Sequence, residues 1–126
     1  MRFSLQTRFN DYDSKGHVNN AVYLTYFEVA RTRAWLEAVR GSPDAPFIVA
    51  EATVRYLRPA MIGIPLDIEV ATTEVRNKAW VWRYRIIDAR DEGIVAEGQT
   101  VQVMYDYDAH TSVAIPPEVR AGLGAV

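Results

Sequence analysis

Phe9-Asn10-Asp11-Tyr12-Asp13-Ser14-Lys15-Gly16-His17-Val18-Asn19-Asn20-Ala21-Val22-Tyr23-Leu24 is a polar loop that runs into the start of a helix. Carboxylates, a histidine, a glycine and paired asparagines are costly to hold together unless they bond one another or react. An ordinary connection would show Gly, Pro and Ser filler instead. Beyond the loop the period becomes helical: Tyr23, Leu24, Phe27, Ala30, Ala34, Trp35 and Ala38 recur on one side, with Glu28, Arg31, Arg33 and Glu37 charged. The spacing predicts one long helix over about Asn20 to Arg40, with Asn19 or Asn20 as cap and Gly41 and Pro43 as its stop. Arg31, Arg33, Glu37 and Arg40 read as its solvated face. Ahead of the loop, Phe3, Leu5, Thr7 and Phe9 alternate with Ser4, Gln6 and Arg8, which predicts a half-buried strand over Arg2 to Phe9.

Everything after the helix is strand-like. Phe47 to Leu57, Pro65 to Val75, Ala79 to Asp88 and Ile94 to Tyr107 are rich in β-branched and aromatic residues, and turn sequences sit at Arg76-Asn77-Lys78 and Asp91-Glu92-Gly93. The order β-α-β-β-β-β predicts an α+β architecture, a five-stranded antiparallel sheet with one long helix, in a single domain over residues 1–126. One helix covers one sheet face. Val101-Gln102-Val103-Met104-Tyr105 is apolar on both parities, so a second copy of the chain is the economical cover for the rest. The tail, with Pro116-Pro117, Gly122 and Gly124, predicts at most a short helical turn.

Composition narrows the function. A net charge of −2 supplies no basic field for nucleic acid, and no apolar run approaches the roughly 20 residues that span a bilayer. The absence of cysteine removes disulfides and thiol catalysis, and Met1 to Gln6 lacks the apolar core of a signal peptide. The expectation is a soluble cytoplasmic protein.

The loop itself suggests a reaction. Free N–H groups at a helix start carry the positive end of the helix dipole. A carboxylate beside them stays ionised, and the same donors can polarise a carbonyl oxygen. That combination suits acyl-group hydrolysis. Asp13, four residues before His17 and with Gly16 between them for a sharp turn, is the candidate base or nucleophile; Asp11 closes the turn through its side chain. A plainer reading makes both turn and capping residues. His17 either holds a substrate oxygen or water, or packs the loop; Asn19 and Asn20 cap the helix or bind the substrate carbonyl. Tyr23 and Phe27 read as core with a second role along an acyl pocket.

Asp11 to Leu24, followed by Phe27-Glu28-x-x-Arg31, resembles the signature of hotdog-fold acyl-CoA thioesterases, more narrowly the 4-hydroxybenzoyl-CoA thioesterase-like branch. The strand order agrees along the chain, including Glu51-Ala52-x-Val54-x-Tyr56-x-x-Pro59. The resemblance implies a sheet wrapped around the helix, sheets joined edge to edge in at least a homodimer, dimers pairing into a homotetramer, and active sites at the dimer interface. It implies Asp13 as the catalytic carboxylate and the Asn20 N–H as the group that polarises the thioester carbonyl, with His17 or Asn19 positioning water or substrate. It further implies Arg76 and Lys78, and less directly Arg58, at the coenzyme A phosphates, an acyl-CoA substrate, and no metal or redox cofactor.

His17 and Asn19 stand where the branch member acting on 4-hydroxybenzoyl-CoA has apolar residues, so the aromatic substrate does not carry over. Three other readings are open. The thioester could sit on acyl carrier protein, for which Arg55, Arg58, Arg76 and Lys78 would form a basic patch. The chain could be a non-catalytic acyl-ligand module. His17 and Glu28 could mimic a dehydratase pair, although the surrounding dehydratase pattern is missing.

Overall fold

A computed structural model of the chain describes residues 1–40 and 45–126. Strand β1 spans Arg2–Leu5, β2 Phe47–Tyr56, β3 Leu66–Val75, β4 Ala79–Asp88, β5 Gly93–Asp106 and β6 Thr111–Ser112. Helix α1 spans Val22–Ala34 and continues through a wider π-type turn, Trp35–Val39; α2 spans Pro117–Leu123. The main sheet is antiparallel in the order β1-β3-β4-β5-β2, with β6 appended to β5.

Alternation sets the faces. Trp80, Trp82, Tyr84 and Ile86 of β4 turn inward and are fully buried, whereas Arg83 and Arg85 turn out and pair with Glu97 and Glu69. Ala96, Thr100, Gln102 and Met104 of β5 share the inner face, against which α1 lays Tyr23, Phe27, Ala30 and Ala34. Phe27 stacks on Tyr84 at 4.4 Å between ring centroids. Such close contact requires Gly98 beneath it. A Cβ there would lie 2.2 Å from the Thr53 carbonyl oxygen on β2 and 2.7 Å from the Phe27 ring. Gly98→Ala is therefore expected to push β2 off β5 and to cost about 2–3 kcal/mol by overpacking, read as a lowered denaturant midpoint.

Several expectations change. β1 ends at Leu5, and Phe9 is 87% exposed in a 3-10 turn, Phe9–Asp11. The chain curls because the Asp11 carboxylate accepts the Arg8 N–H at 2.9 Å, which overrides the alternation. The tail does more than a single turn. Val119 and Leu123 of α2, with Ile115 before it, are buried, and Gly122 lies so close to α1 that a Cβ would sit 2.7 Å from the Val39 Cα. Arg31 is half-buried and reaches the Tyr84 hydroxyl, because it follows Phe27 by one turn on the inward side. Arg40, left-handed at φ 55°, ends the helical run; Gly41 and Pro43, the expected stop, lie outside the described residues.

Candidate active site

At one end of the sheet the β1–α1 loop, the β2–β3 connection and the β4–β5 turn converge. Tyr12 and His17–Val18 form short β-bridges, Tyr12 with Val18 and His17 with Met61. The Val18 N–H donates to the Ala60 carbonyl at 2.9 Å, which pins the loop to the chain after β2. Gly16, at φ +75°, makes the reversal; its N–H donates to the Asp13 carbonyl at 3.1 Å, and the Asp13 N–H donates to the His17 carbonyl at 2.7 Å.

Inside this turn the Asp13 carboxylate is half committed. Its Oδ1 accepts the N–H groups of Lys15 at 2.9 Å and His17 at 3.1 Å. Its Oδ2 accepts no hydrogen bond among the described residues. The His17 N–H, more than the smaller effect of Lys15, holds this exposed carboxyl below its ordinary value against a desolvation that works the other way. The loop's own N–H groups perform the task that the sequence reading gave to the helix terminus.

Asp11, two residues earlier, is the opposite case. It is buried, and its oxygens accept the Arg8 N–H at 2.9 Å, the Arg8 guanidinium at 3.0 and 3.1 Å, and the Tyr26 hydroxyl at 2.9 Å. Burial pushes its carboxyl up, but those bonds outweigh burial and the net direction is down. Asp11 closes the turn, as its position suggested.

The helix start carries the second element. The Asn19 side chain accepts the Ala21 N–H at 3.0 Å, the Asn19 carbonyl accepts the Val22 N–H at 2.9 Å, and the Asn19 N–H donates to the Asp11 carbonyl at 2.8 Å. Asn19 thus closes the turn that leads into α1. The Asn20 N–H has no acceptor among the described residues, although its neighbours are bonded on both sides. A groove of about 290 Å³ joins Asp13, His17, Asn20 and Tyr23 with Tyr56 and Arg58. That is the low end of ligand-sized cavities, roughly 300–1,000 Å³.

Sequence reasoning missed Tyr56 as a site residue. Its hydroxyl donates to the Asn20 carbonyl at 2.8 Å, and its ring meets Tyr23 edge-on at 5.2 Å. The quoted strand motif contained it, but only the fold shows that the end of β2 reaches the helix start.

Other expected residues lie apart. Phe27 is fully buried between α1 and β5 and does not line the groove. Arg76 and Lys78 sit in the β3–β4 turn, where Val75 pairs with Trp80, whereas the groove lies where Leu66 pairs with Asp88. A ten-residue strand separates them, about 30 Å at the usual rise. Within one protomer they cannot share a ligand with Asp13. Arg58 lines the groove but is engaged by Asp91 at 2.7 Å and Asp88 at 3.2 Å. With Arg76 on Glu74 at 2.7 Å and Arg55 near Glu97 at 3.9 Å, these arginines form no free basic patch. Two depressions of about 330 and 380 Å³ on the outer sheet face are rimmed by ion-paired Arg83, Arg85, Glu69 and Glu97 and contain none of the loop's groups.

The chain resembles known proteins in both sequence and fold. It is 26% identical over 125 residues to the acyl-CoA thioester hydrolase YbgC of Shigella flexneri, covering 95% of this chain and 92% of that protein. It is 26% identical over 132 residues to the long-chain acyl-CoA thioesterase FadM of Escherichia coli, covering 98% and 96%. A Thermus thermophilus thioesterase solved with coenzyme A and zinc superposes with a TM-score of 0.87 at 30% identity, over 98% of this chain and 91% of that one. The match runs through the whole strand order, so the sheet curled on one long helix is the hotdog fold. No helix among the described residues is long and apolar enough to cross a membrane. Residues 7–123 match the model of the Thioesterase-like superfamily, and the chain belongs to that family.

Proposed function

We propose that this groove hydrolyses the thioester of an acyl-CoA to a carboxylic acid and free coenzyme A. One observation carries the reading: an ionised Asp13 with an uncommitted oxygen lines the same groove as the Asn20 residue whose N–H is unpaired at a helix start. The N–H polarises the thioester carbonyl oxygen and stabilises the charge that develops there. Asp13 either attacks the carbonyl carbon or takes a proton from the attacking water. In the base route the water oxygen bonds to the carbonyl carbon and the C–S bond breaks. In the nucleophilic route the C–S bond breaks as an Asp13–acyl anhydride forms, and water then cleaves that anhydride and restores the carboxylate. In both the sulfur leaves as the coenzyme A thiolate and takes up a proton. His17, half-buried in the groove, positions water or substrate, and Tyr23 forms part of the acyl wall. The reaction needs no metal or redox cofactor, and its substrate suits a cytoplasmic setting.

A second copy completes the site in this reading. β2 is a ten-residue edge strand, with Ile48, Val49 and Tyr56 each more than a third exposed. A long exposed edge of that kind, with only Glu51 and Arg55 charged, invites pairing with another chain. Edge-to-edge pairing to a homodimer extends a groove too small for an acyl-CoA, and it offers Arg76 and Lys78 of a second copy a route to the coenzyme A phosphates.

Free-thiol release from short, long and aromatic acyl-CoAs tests the activity, and the absence of release from every member overturns it. The pH profile tests the base. Asp13 acts unprotonated, so kcat/KM falls only as pH drops through its depressed value, below the ordinary aspartate value of about 3.9. An acid limb well above the carboxylate range removes Asp13 as the base.

A further inference from the structure

We propose that Tyr56 is a positioning residue of this site: its hydroxyl, acting through the Asn20 carbonyl, fixes the direction of the Asn20 N–H. The inference rests on the thioesterase reading for its catalytic consequence, though not for its geometry.

The peptide planes on either side of the Asn20 Cα are held differently. In the plane joining Asn19 to Asn20, the carbonyl accepts the Val22 N–H at 2.9 Å, and the N–H on the opposite side is the free donor. In the plane joining Asn20 to Ala21, the carbonyl accepts the Tyr56 hydroxyl at 2.8 Å and the N–H donates to the Asn19 side chain at 3.0 Å. Asn20 is thus clamped between two tethered planes. Without the Tyr56 hydroxyl the second plane is held at its N–H only, and the first plane, which carries the free N–H and is itself held only at its carbonyl, loses the support it receives through the Asn20 Cα. A donor that must meet an oxyanion at hydrogen-bond distance loses effect when its direction is spread.

The Tyr56 hydroxyl is itself fixed. Its residue ends β2 in register with Ala96 of β5, and its ring packs edge-on against buried Tyr23 at 5.2 Å and 68°. Its proton is donated to the Asn20 carbonyl, so Tyr56 is not the donor to substrate. The arrangement links the end of the edge strand to the start of the helix across 36 positions of sequence, and it is the contact by which β2 acts on the reacting centre.

Tyr56→Phe removes the hydroxyl and keeps the ring. On the best acyl-CoA of the panel it is expected to lower kcat about tenfold with KM unchanged, less than the 10²–10³ of deleting an oxyanion donor outright, since the donor remains. Tyr56→Leu, which also removes the wall, loses the same kcat and raises KM. The backbone order parameter of the Asn20 amide in Tyr56→Phe provides a readout without turnover; it is expected to drop from the roughly 0.85 of rigid backbone. An unchanged kcat together with an unchanged order parameter overturns the proposal while leaving the thioesterase reading intact. A rise in KM alone makes Tyr56 only a wall and also overturns it. A native chain that hydrolyses no acyl-CoA overturns the function reading and the catalytic role of Tyr56 together, and the order parameter then reports whether the clamp exists.

Discussion

Asp13→Asn is expected to lower the rate of thiol release by roughly a thousandfold or more, the loss typical when a nucleophile or base is deleted, while the thermal midpoint stays where it is. The two halves of that expectation follow from the two oxygens. Oδ1 organises the loop by accepting from the Lys15 and His17 N–H groups, and the asparagine oxygen accepts the same bonds. Oδ2 has no structural duty, and there the amide substitutes a neutral donor for a charged acceptor. The site is therefore disarmed without being unfolded. Asp13→Ala is a harsher change, because it also strips the turn of both acceptances. Measuring kcat and melting together separates the cases: an asparagine variant that turns over at the native rate ends the assignment of Asp13.

Asp11 and Asp13 show how one short segment assigns opposite tasks to the same side chain. The difference is the number of committed lone pairs. Asp11 is saturated by Arg8 and Tyr26 and sealed from solvent, so it holds the loop to α1. Asp13 is satisfied on one side and open on the other, so it stays ionised and reactive. The same asymmetry governs the donors: the Asn19 and Ala21 N–H groups are taken, and that of Asn20 is left. Groups held in place by partners, with one valence unspent, are what a preorganised site requires.

Much of this was legible in the chain because polar residues in an apolar protein are informative. Asp13, Gly16, Asn19 and Asn20 marked the loop and the helix start, and the period change after Asn20 marked α1. Trp80, Trp82, Tyr84 and Ile86 fixed the inner face of β4 by alternation alone. What sequence could not reveal was distance across the fold. Tyr56 lies 36 residues from its partner Asn20, and nothing local announces that contact. Arg76 and Lys78 looked suited to phosphate, but strand register puts their turn at the far end of the sheet. Phe9 completed an alternation that a carboxylate hydrogen bond cut short. The buried docking of Val119 and Leu123 was hidden by neighbouring glycines and prolines, which read as a tail with at most a short helical turn.

Asp11→Ala is expected to be the most destabilising of these changes, by about 4 kcal/mol, because several hydrogen bonds vanish at once and a buried partner is orphaned. The Tyr26 hydroxyl would be left in the interior without its acceptor, and Arg8 would lose the anchor that curls the chain after β1. A loss of that size lowers the melting temperature of a chain this long by somewhat more than 10 °C. Thiol release should fall too, since the Asn19 N–H is tied to the Asp11 carbonyl and the helix start shifts when residues 8–11 loosen. A double-mutant cycle isolates the orphaned hydroxyl. Tyr26→Phe in the Asp11→Ala background removes the unpaired group and should recover part of the stability, whereas the same change in the native chain should cost some. The pH dependence has a definite sign. The Asp11 carboxyl is held below its ordinary value in the fold, so its contribution is complete above the unfolded value, about 3.9, and is lost as pH falls through the folded one. The Asp88 carboxyl, held at about 2 chiefly by the Arg90 guanidinium, follows the same course in both proteins. The gap in stability between native chain and Asp11→Ala should therefore be widest near neutral pH and shrink on acidification. A gap that stays constant down to the acid transition would mean that Asp11 contributes packing and not charge.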